Sequence, residues 1–397
     1  MSGPDPSAAP SIAAPSTADS ATVDPERLAR ATLSLVAEPG DARILGLTRR
    51  LGAQEFLDLL VHHPDLRPEL GAAAGRLAQV EPLPVLEAAR RRGIRFVIPG
   101  DAEWPTRLDD LADTGVLQDR GEVPVGLWVR GPLRLDRLAE AVAIVGSRSA
   151  TTYGEHVAAG IAADLARAGR PVVSGGAFGI DHAAHRGALS ADGPTLAVLA
   201  CGVDRAYPAA HRAMLEHLAE HHALVSEAPP GASPFRIRFL ARNRVIAALT
   251  GGTVVVEAAL RSGALNTANW AERLHRPVMG TPGALTSAAS QGVHQLIRRG
   301  AATLVTGGDD VLELVSEAGH HVVAEPRAPL DARDGLSVRA RQVLDALPVA
   351  APAPVESVAR VAGLAPEEVA TLLDGLAGVD LAERTPAGWR LRPSALG

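Results

Sequence analysis

Ala141-Val142-Ala143-Ile144-Val145-Gly146-Ser147-Arg148-Ser149 is a short apolar run that stops at a glycine turn, and a helical pattern follows from about Tyr153 to Ala168. The same unit recurs down the chain. Val172-Val173 precedes a helical stretch from Ile180 to Leu189, Leu196 to Leu199 precedes one from Pro208 to Glu220, and Val254-Val255-Val256 precedes one from about Asn266 to Leu274. Runs that are apolar throughout, rather than alternating, belong to strands buried on both faces. Strands and helices alternating in this way predict an α/β fold around a parallel sheet.

Working outward, residues 1–24 are rich in Ala, Ser, Pro, Thr and Asp and hold too little apolar surface to order themselves, so a disordered tail is expected there. Asp24-Pro25 fits an N-cap followed by proline at the first helical position. Short helical patterns at Leu28 to Val36, Arg43 to Leu51, Phe56 to Val61 and Leu83 to Arg92 predict a small helical domain over 25–93. The α/β region spans 94–319, and a linker holding prolines and charges is expected over 320–335. Beyond it, helical patterns at Val338 to Leu347, Val355 to Val361 and Glu367 to Leu376 lead into strand-like runs around Leu381 to Arg384 and Trp389 to Leu391. Three helices and a hairpin over 336–397 make a winged-helix pattern. Its third helix carries Glu367, Glu368 and Asp374 and no arginine, so it is not expected to read duplex DNA, whose phosphates acids repel.

Composition removes several kinds of chemistry. All 39 basic residues are arginine, which excludes a P-loop lysine, a Schiff-base lysine and a lysine general base. The one cysteine, Cys201, forms neither an internal disulfide nor a four-cysteine zinc cage. The start of the chain has no basic and apolar signal pattern, and no run of about 18 apolar residues occurs, so a cytoplasmic protein without membrane spans is expected. The net charge of -6 argues against a surface coated in positive charge but leaves room for a local basic groove.

Two glycine-rich turns follow strands: Val145-Gly146-Ser147-Arg148-Ser149, and Ser174-Gly175-Gly176-Ala177-Phe178-Gly179-Ile180-Asp181. Glycine lets a backbone approach closely, and the helix that follows offers free N–H groups and the positive end of its dipole, an arrangement that suits phosphate. For one turn alone, a tight strand-to-helix connection explains the glycines equally well. Two turns on neighbouring strands, one with Arg148 between serines, favour a phosphate site. The second strand ends without the acid that would hold a ribose, so nicotinamide and flavin are not expected. The segment from Ala228 to Val256 holds Arg236, Arg238, Arg242 and Arg244, with Phe235 and Phe239 among them, and no acid. Arginines for phosphates and aromatics for bases are what single-stranded nucleic acid requires. Taken by itself, the segment reads more readily as a solvated basic helix face with two phenylalanines in the core, because charge runs are usually just solvated.

Together these stretches resemble the DNA-processing protein A family (DprA, also called Smf). The likeness lies in Ala143 to Arg148 with Tyr153-Gly154, in Ser174-Gly175 with Gly179-Ile180-Asp181 and Ala184-His185, and in Gly202-Val203-Asp204 with Tyr207-Pro208. It continues through Ser226-Glu227, Phe239 to Ile246, Val256-Glu257-Ala258, Ser262 to Ala268, Pro282-Gly283 and Leu296-Ile297 with Gly300-Ala301. It spans about Trp104 to Ala301, in order. Departures are Gly176, where a larger apolar residue is usual, Leu240 for a common proline, and His294 for a common asparagine.

The resemblance implies an extended Rossmann-like domain that binds and protects single-stranded DNA and loads a RecA-type recombinase in natural transformation. It implies a homodimer with no catalytic activity and no cofactor. Carried over, Ser147 and Arg148 are DNA contacts, Ser174 and Gly175 form the second turn, Arg242, Asn243 and Arg244 are the arginine-asparagine-arginine motif, and Phe239 stacks near a base. Spacing adds Arg236 and Arg238 as substitutes for the family's lysines. His185 is expected to be a structural histidine. The competing readings are a nucleotide phosphoribohydrolase, from the faint likeness of Gly251-Gly252-Thr253 through Glu257, and a nucleotide-sensing module.

Overall fold

The computed structural model describes residues 24–63, 67–323 and 333–393. The expected tail, apart from Asp24, and most of the expected linker lie outside them. The chain divides into two units, Met1–Val323 and Ala324–Gly397.

The first unit opens with α1 (Pro25–Val36), α2 (Ala42–Leu51), α3 (Ala53–His62), α4 (Arg67–Leu77) and α5 (Pro82–Arg91). Asp24 caps α1 by accepting from the Glu26 N–H, with proline in the first turn. The α4 helix was not expected from the sequence. Leu33, Ile44, Phe56 and Leu60 form the core of this helical region, and Val125 of the following region joins them.

A nine-stranded sheet follows: β1 (Ile94–Val97), β2 (Leu127–Arg130), β3 (Val142–Val145), β4 (Val172–Gly175), β5 (Thr195–Leu199), β6 (Ala223–Ser226), β7 (Gly252–Val255), β8 (Val278–Gly280) and β9 (Thr303–Leu304). Its order is β1-β2-β6-β5-β4-β3-β7-β8-β9. From β6 to β9 every pairing is parallel. The antiparallel strands β1 and β2 extend the β6 edge. Successive strands step from β3 out to β6, and then the chain returns to β3's other side as β7, with Val142 opposite Gly252 and Val145 opposite Val255. This reversal opens a crevice at the carboxyl ends of β3 and β7, where doubly wound sheets hold ligands.

The connecting helices are α6 (Thr152–Arg167), α7 (Ile180–Ser190), α8 (Arg212–His221), α9 (Arg236–Leu249), α10 (Ala264–Arg273), α11 (Gln291–Arg298) and α12 (Gly308–Val315). One face of the sheet packs Val145, Val173 and Val255 against Val245 and Ile246 of α9 and Trp270 of α10. The other packs Val142, Ile144 and Val254 against Ile161, Ala184 and Val311 of α6, α7 and α12. Strands β3 to β7 are buried throughout, as an apolar parallel sheet requires. Among the described residues no helix is long and apolar enough to cross a membrane.

The second unit holds α13 (Val338–Asp345), α14 (Val355–Ala362), α15 (Pro366–Gly378) and the hairpin β10 (Ala382–Thr385) and β11 (Gly388–Leu391). Val343, Val358, Leu373 and Trp389 meet in its core. Glu367, Glu368 and Asp374 of α15 are exposed.

Candidate functional site

The first glycine turn is held from behind by one residue at the end of β7. The backbone carbonyl of Glu257 accepts from the Ser147 N–H at 2.7 Å. Its carboxylate accepts from the Thr151 N–H at 2.9 Å and the Thr151 hydroxyl at 2.6 Å. Thr151 in turn caps α6 by accepting from the Gly154 N–H at 3.1 Å. A β-carbon at Gly154 would fall on the Glu257 carboxylate, and one at Gly146 on Ile180, so both glycines are demanded by close approach. The Tyr153 hydroxyl donates to the Pro282 carbonyl at 2.8 Å, tying α6 to the loop after β8. Fixed in this way, the turn presents Arg148 to solvent, with its guanidinium 4.7 Å from the Phe239 ring centroid.

At the end of β4 a β-carbon on Gly175 would overlap the Arg242 guanidinium, which passes through that space. Arg242 Nη1 donates to the Val198 carbonyl at 3.0 Å and Nε to Asn243 Oδ1 at 3.1 Å. Asp181 Oδ2 lies 3.9 Å from Arg242 Nη1, both side chains being buried. Burial pushes the Asp181 carboxyl up from the usual carboxylate range, against the pull of Arg242. Burial also lowers Arg242, yet a guanidinium keeps its proton at neutral pH. The result is a buried cation with one distant carboxylate, set in the wall of the cleft. Asn243 Nδ2 donates to the Gly263 carbonyl and to Asn266 Oδ1, both at 3.2 Å, which anchors the loop after β7 to α9.

The sequence expectation treated the arginines of α9 as one set, and the structure divides them. Arg236, Phe239, Arg242 and Asn243 line the cleft together with Ser147 and Arg148. Arg244 does not. It is fully buried and grips Glu227 through two bonds of 2.6 and 2.7 Å, while donating to the carbonyls of Gly121 and Glu122. Glu227 also accepts from the Gly40 N–H, at 3.2 Å. Arg238 likewise faces away, paired with Glu38 at 2.8 Å and donating to the Ser233 carbonyl. Ser174 is buried, its hydroxyl donating to the Ile144 carbonyl at 2.6 Å, and Gly175 lies behind Arg242. These four stand behind the cleft wall rather than in it. A solvated basic face does not describe α9 either, because every residue from Ala241 to Leu249 is buried.

The cleft has a volume of about 810 Å³ and four arginines in its lining, Arg148, Arg236, Arg242 and Arg261, against the single acid Asp181. Arg261 and Gln118 were not singled out from the sequence, and Tyr207 was read there only as part of the family resemblance. Arg261 sits in the loop after β7, at the carboxyl side of the sheet's reversal, and that placement is the signal that marks it. Phe239 packs against Tyr207 with the rings tilted by 56° and 5.9 Å between centroids, so the aromatics form one wall.

His185 is a satisfied core residue, with Nδ1 2.8 Å from Thr195 Oγ1 and Nε2 2.9 Å from the Gly175 carbonyl. Burial lowers its pKa to about 4, so it is neutral at physiological pH. Glu257, the glutamate on which a phosphoribohydrolase reading would rest, is 2% exposed, with both carboxylate oxygens committed to Thr151.

A model of the family described as DNA recombination-mediator protein A matches residues 95–316. The chain is 46% identical over 388 residues to a Mycobacterium tuberculosis protein named putative DNA processing protein DprA, covering 94% of this chain and 97% of that one. It is 33% identical over 233 residues to the DNA processing protein DprA of Bacillus subtilis, covering 59% of this chain and 75% of that one. The X-ray structure of DNA processing protein A from Streptococcus pneumoniae aligns with a TM-score of 0.60 at 29% identity, covering 75% of this chain and 99% of that one. Every residue that lines the cleft falls inside the span matched by the family model. The chain therefore belongs to the DNA recombination-mediator protein A family, the DprA/Smf family that its glycine turns and its arginine-asparagine-arginine run resemble.

Proposed function

We propose that the cleft at the β3–β7 reversal binds single-stranded DNA by its backbone, and that the protein passes the strand to a RecA-type recombinase as a homodimer without catalysing a reaction. One observation carries this reading: four arginines and one buried acid share a cleft in a chain whose net charge is -6. Ser147, Arg148, Arg236, Arg242, Asn243 and Arg261 are the proposed phosphate contacts, and Phe239 with Tyr207 the surface for bases. Duplex recognition places a protruding helix or ribbon in a groove. Here the arginines line a cleft instead of a protruding element, with Arg242 only 9% exposed in its wall and Arg148, Arg236 and Arg261 exposed around it, so a strand that can lay its own backbone into the cleft is the better fit. The names of the Mycobacterium tuberculosis, Bacillus subtilis and Streptococcus pneumoniae relatives, each a DNA processing protein, support the same substrate class.

Competition for a labelled oligonucleotide tests this. Unlabelled single strand is expected to displace the label at about a tenth of the concentration that duplex of the same sequence needs, about 1.4 kcal/mol of preference. Mononucleotide should compete poorly, and no base should be released from it. Equal competition by duplex, or release of free base, would overturn the reading.

A further inference from the structure

Next to the cleft lies a second groove of about 430 Å³, and Gln118, Arg261, Ser262 and Asn266 line both. Its far wall is built from α10 and α11, with Asn269, Gln295 and Arg299 among the lining residues and no acid. We infer that this groove is a second subsite of the same strand, entered past Arg261, so that one continuous path runs from the first glycine turn to α11. The inference rests on the single-strand reading of the cleft.

Three features support it. Arg261 is exposed, lies at the junction and has no hydrogen bond or ion pair among the described residues, which leaves its guanidinium available to a phosphate at the point where the two spaces join. A chain of amides braces that junction: Asn243 donates to Asn266, and Asn266 donates to Gln118 Oε1 at 3.0 Å. Arg299 is held only by exposed contacts, 3.5 Å to Glu272 and 3.5 Å to Asn269, and such pairs exchange readily for a phosphate because solvent screens them. The groove's volume is in the range of a small-molecule site, enough for at least one nucleotide beyond those in the cleft.

Length-resolved binding separates this subsite from the cleft itself. Oligonucleotides of about 4 and about 16 residues span the sizes of single-strand sites. R299A and Q295A change exposed residues at the C-cap and within α11, and melting curves check that the fold is kept. Both variants are expected to bind the short oligonucleotide like the unmodified protein and the long one several-fold more weakly. In R299A the salt slope for the long strand should fall by about 0.7, the loss of one phosphate contact. R261A should weaken both lengths. The subsite is refuted if R299A and Q295A bind the long strand with unchanged affinity and slope, or change only the oligomeric state. If the unmodified protein binds neither length, the single-strand reading of the cleft fails first.

Discussion

Arg242 and Arg244 are two residues apart on α9, and that spacing sends them to opposite sides of the helix. Arg236 and Arg238 repeat the arrangement, one facing the cleft and the other Glu38. The run of arginines was legible in the sequence, but its division was not read from it, although helical spacing already contained it. Arg236, Phe239, Leu240 and Asn243 fall at positions i, i+3, i+4 and i+7, and all line the cleft. The partners of Arg238 and Arg244, by contrast, are the half-buried Glu38 and the buried Glu227, 200 and 17 residues away and beyond the reach of a helical period. His185 offers a test at this scale. Its folded pKa of about 4 lies below the unfolded value near 6.5, so the unfolded chain takes up the proton first as pH falls. The stability this residue contributes is complete above about pH 6.5 and declines towards pH 4, by about 3 kcal/mol in all. His182 and His222, depressed first by burial and then by neighbouring histidines, act in the same direction. Urea unfolding of His185→Gln at pH 7.5 and pH 5 should show a flatter dependence than the unmodified protein. An unchanged slope would mean that His185 is not the buried neutral group described.

The α9 helix enters the fold exposed and becomes wholly buried from Ala241, so its polar residues beyond that point each require an internal partner. The Arg244–Glu227 pair supplies one and also reaches Gly40 in the segment between α1 and α2. This single pair thus joins the helical region, β6 and the helix that lines the cleft. Removing one partner leaves a buried charge, so Glu227→Ala is expected to destabilise the first unit by about 3–5 kcal/mol in denaturant titrations. A loss below about 1 kcal/mol would show that the pair is solvated and does not fix α9. The longer helices and the four central strands could be predicted from the sequence because apolar runs and helical periods persist over them. Strands β1, β2, β6, β8 and β9 were not read from it; β9 has only two residues, and Arg95 and Arg130 break the apolar runs of β1 and β2. The second unit's helices and hairpin were legible for the opposite reason: proline at the start of α15 and the turn before Gly388 mark its limits.

For the molecule as a whole, the sheet's order matters more than any one motif. The reversal between β3 and β7 brings the first turn together with α9 and the loop after β7, which lie far from it in sequence. It concentrates arginine in a chain that is acidic overall, which explains why the total charge says little about the cleft. It also explains why Arg261 escaped notice: it falls between two stretches that carry the resemblance, Val256–Ala258 and Ser262–Ala268, and only the topology brings it into one cleft with Arg148. The most direct test of the phosphate-binding cleft is the salt dependence of single-strand binding, with Arg148→Ala and Arg236→Ala beside the unmodified protein. Both residues are exposed, so neither change should move the melting temperature. Four arginines neutralising four phosphates give a slope of log affinity against log salt of about -3, at about 0.7 each. Each variant should bind more weakly with a slope shallower by about 0.7, whereas affinities and slopes unchanged in both would contradict the assignment of these arginines to phosphate.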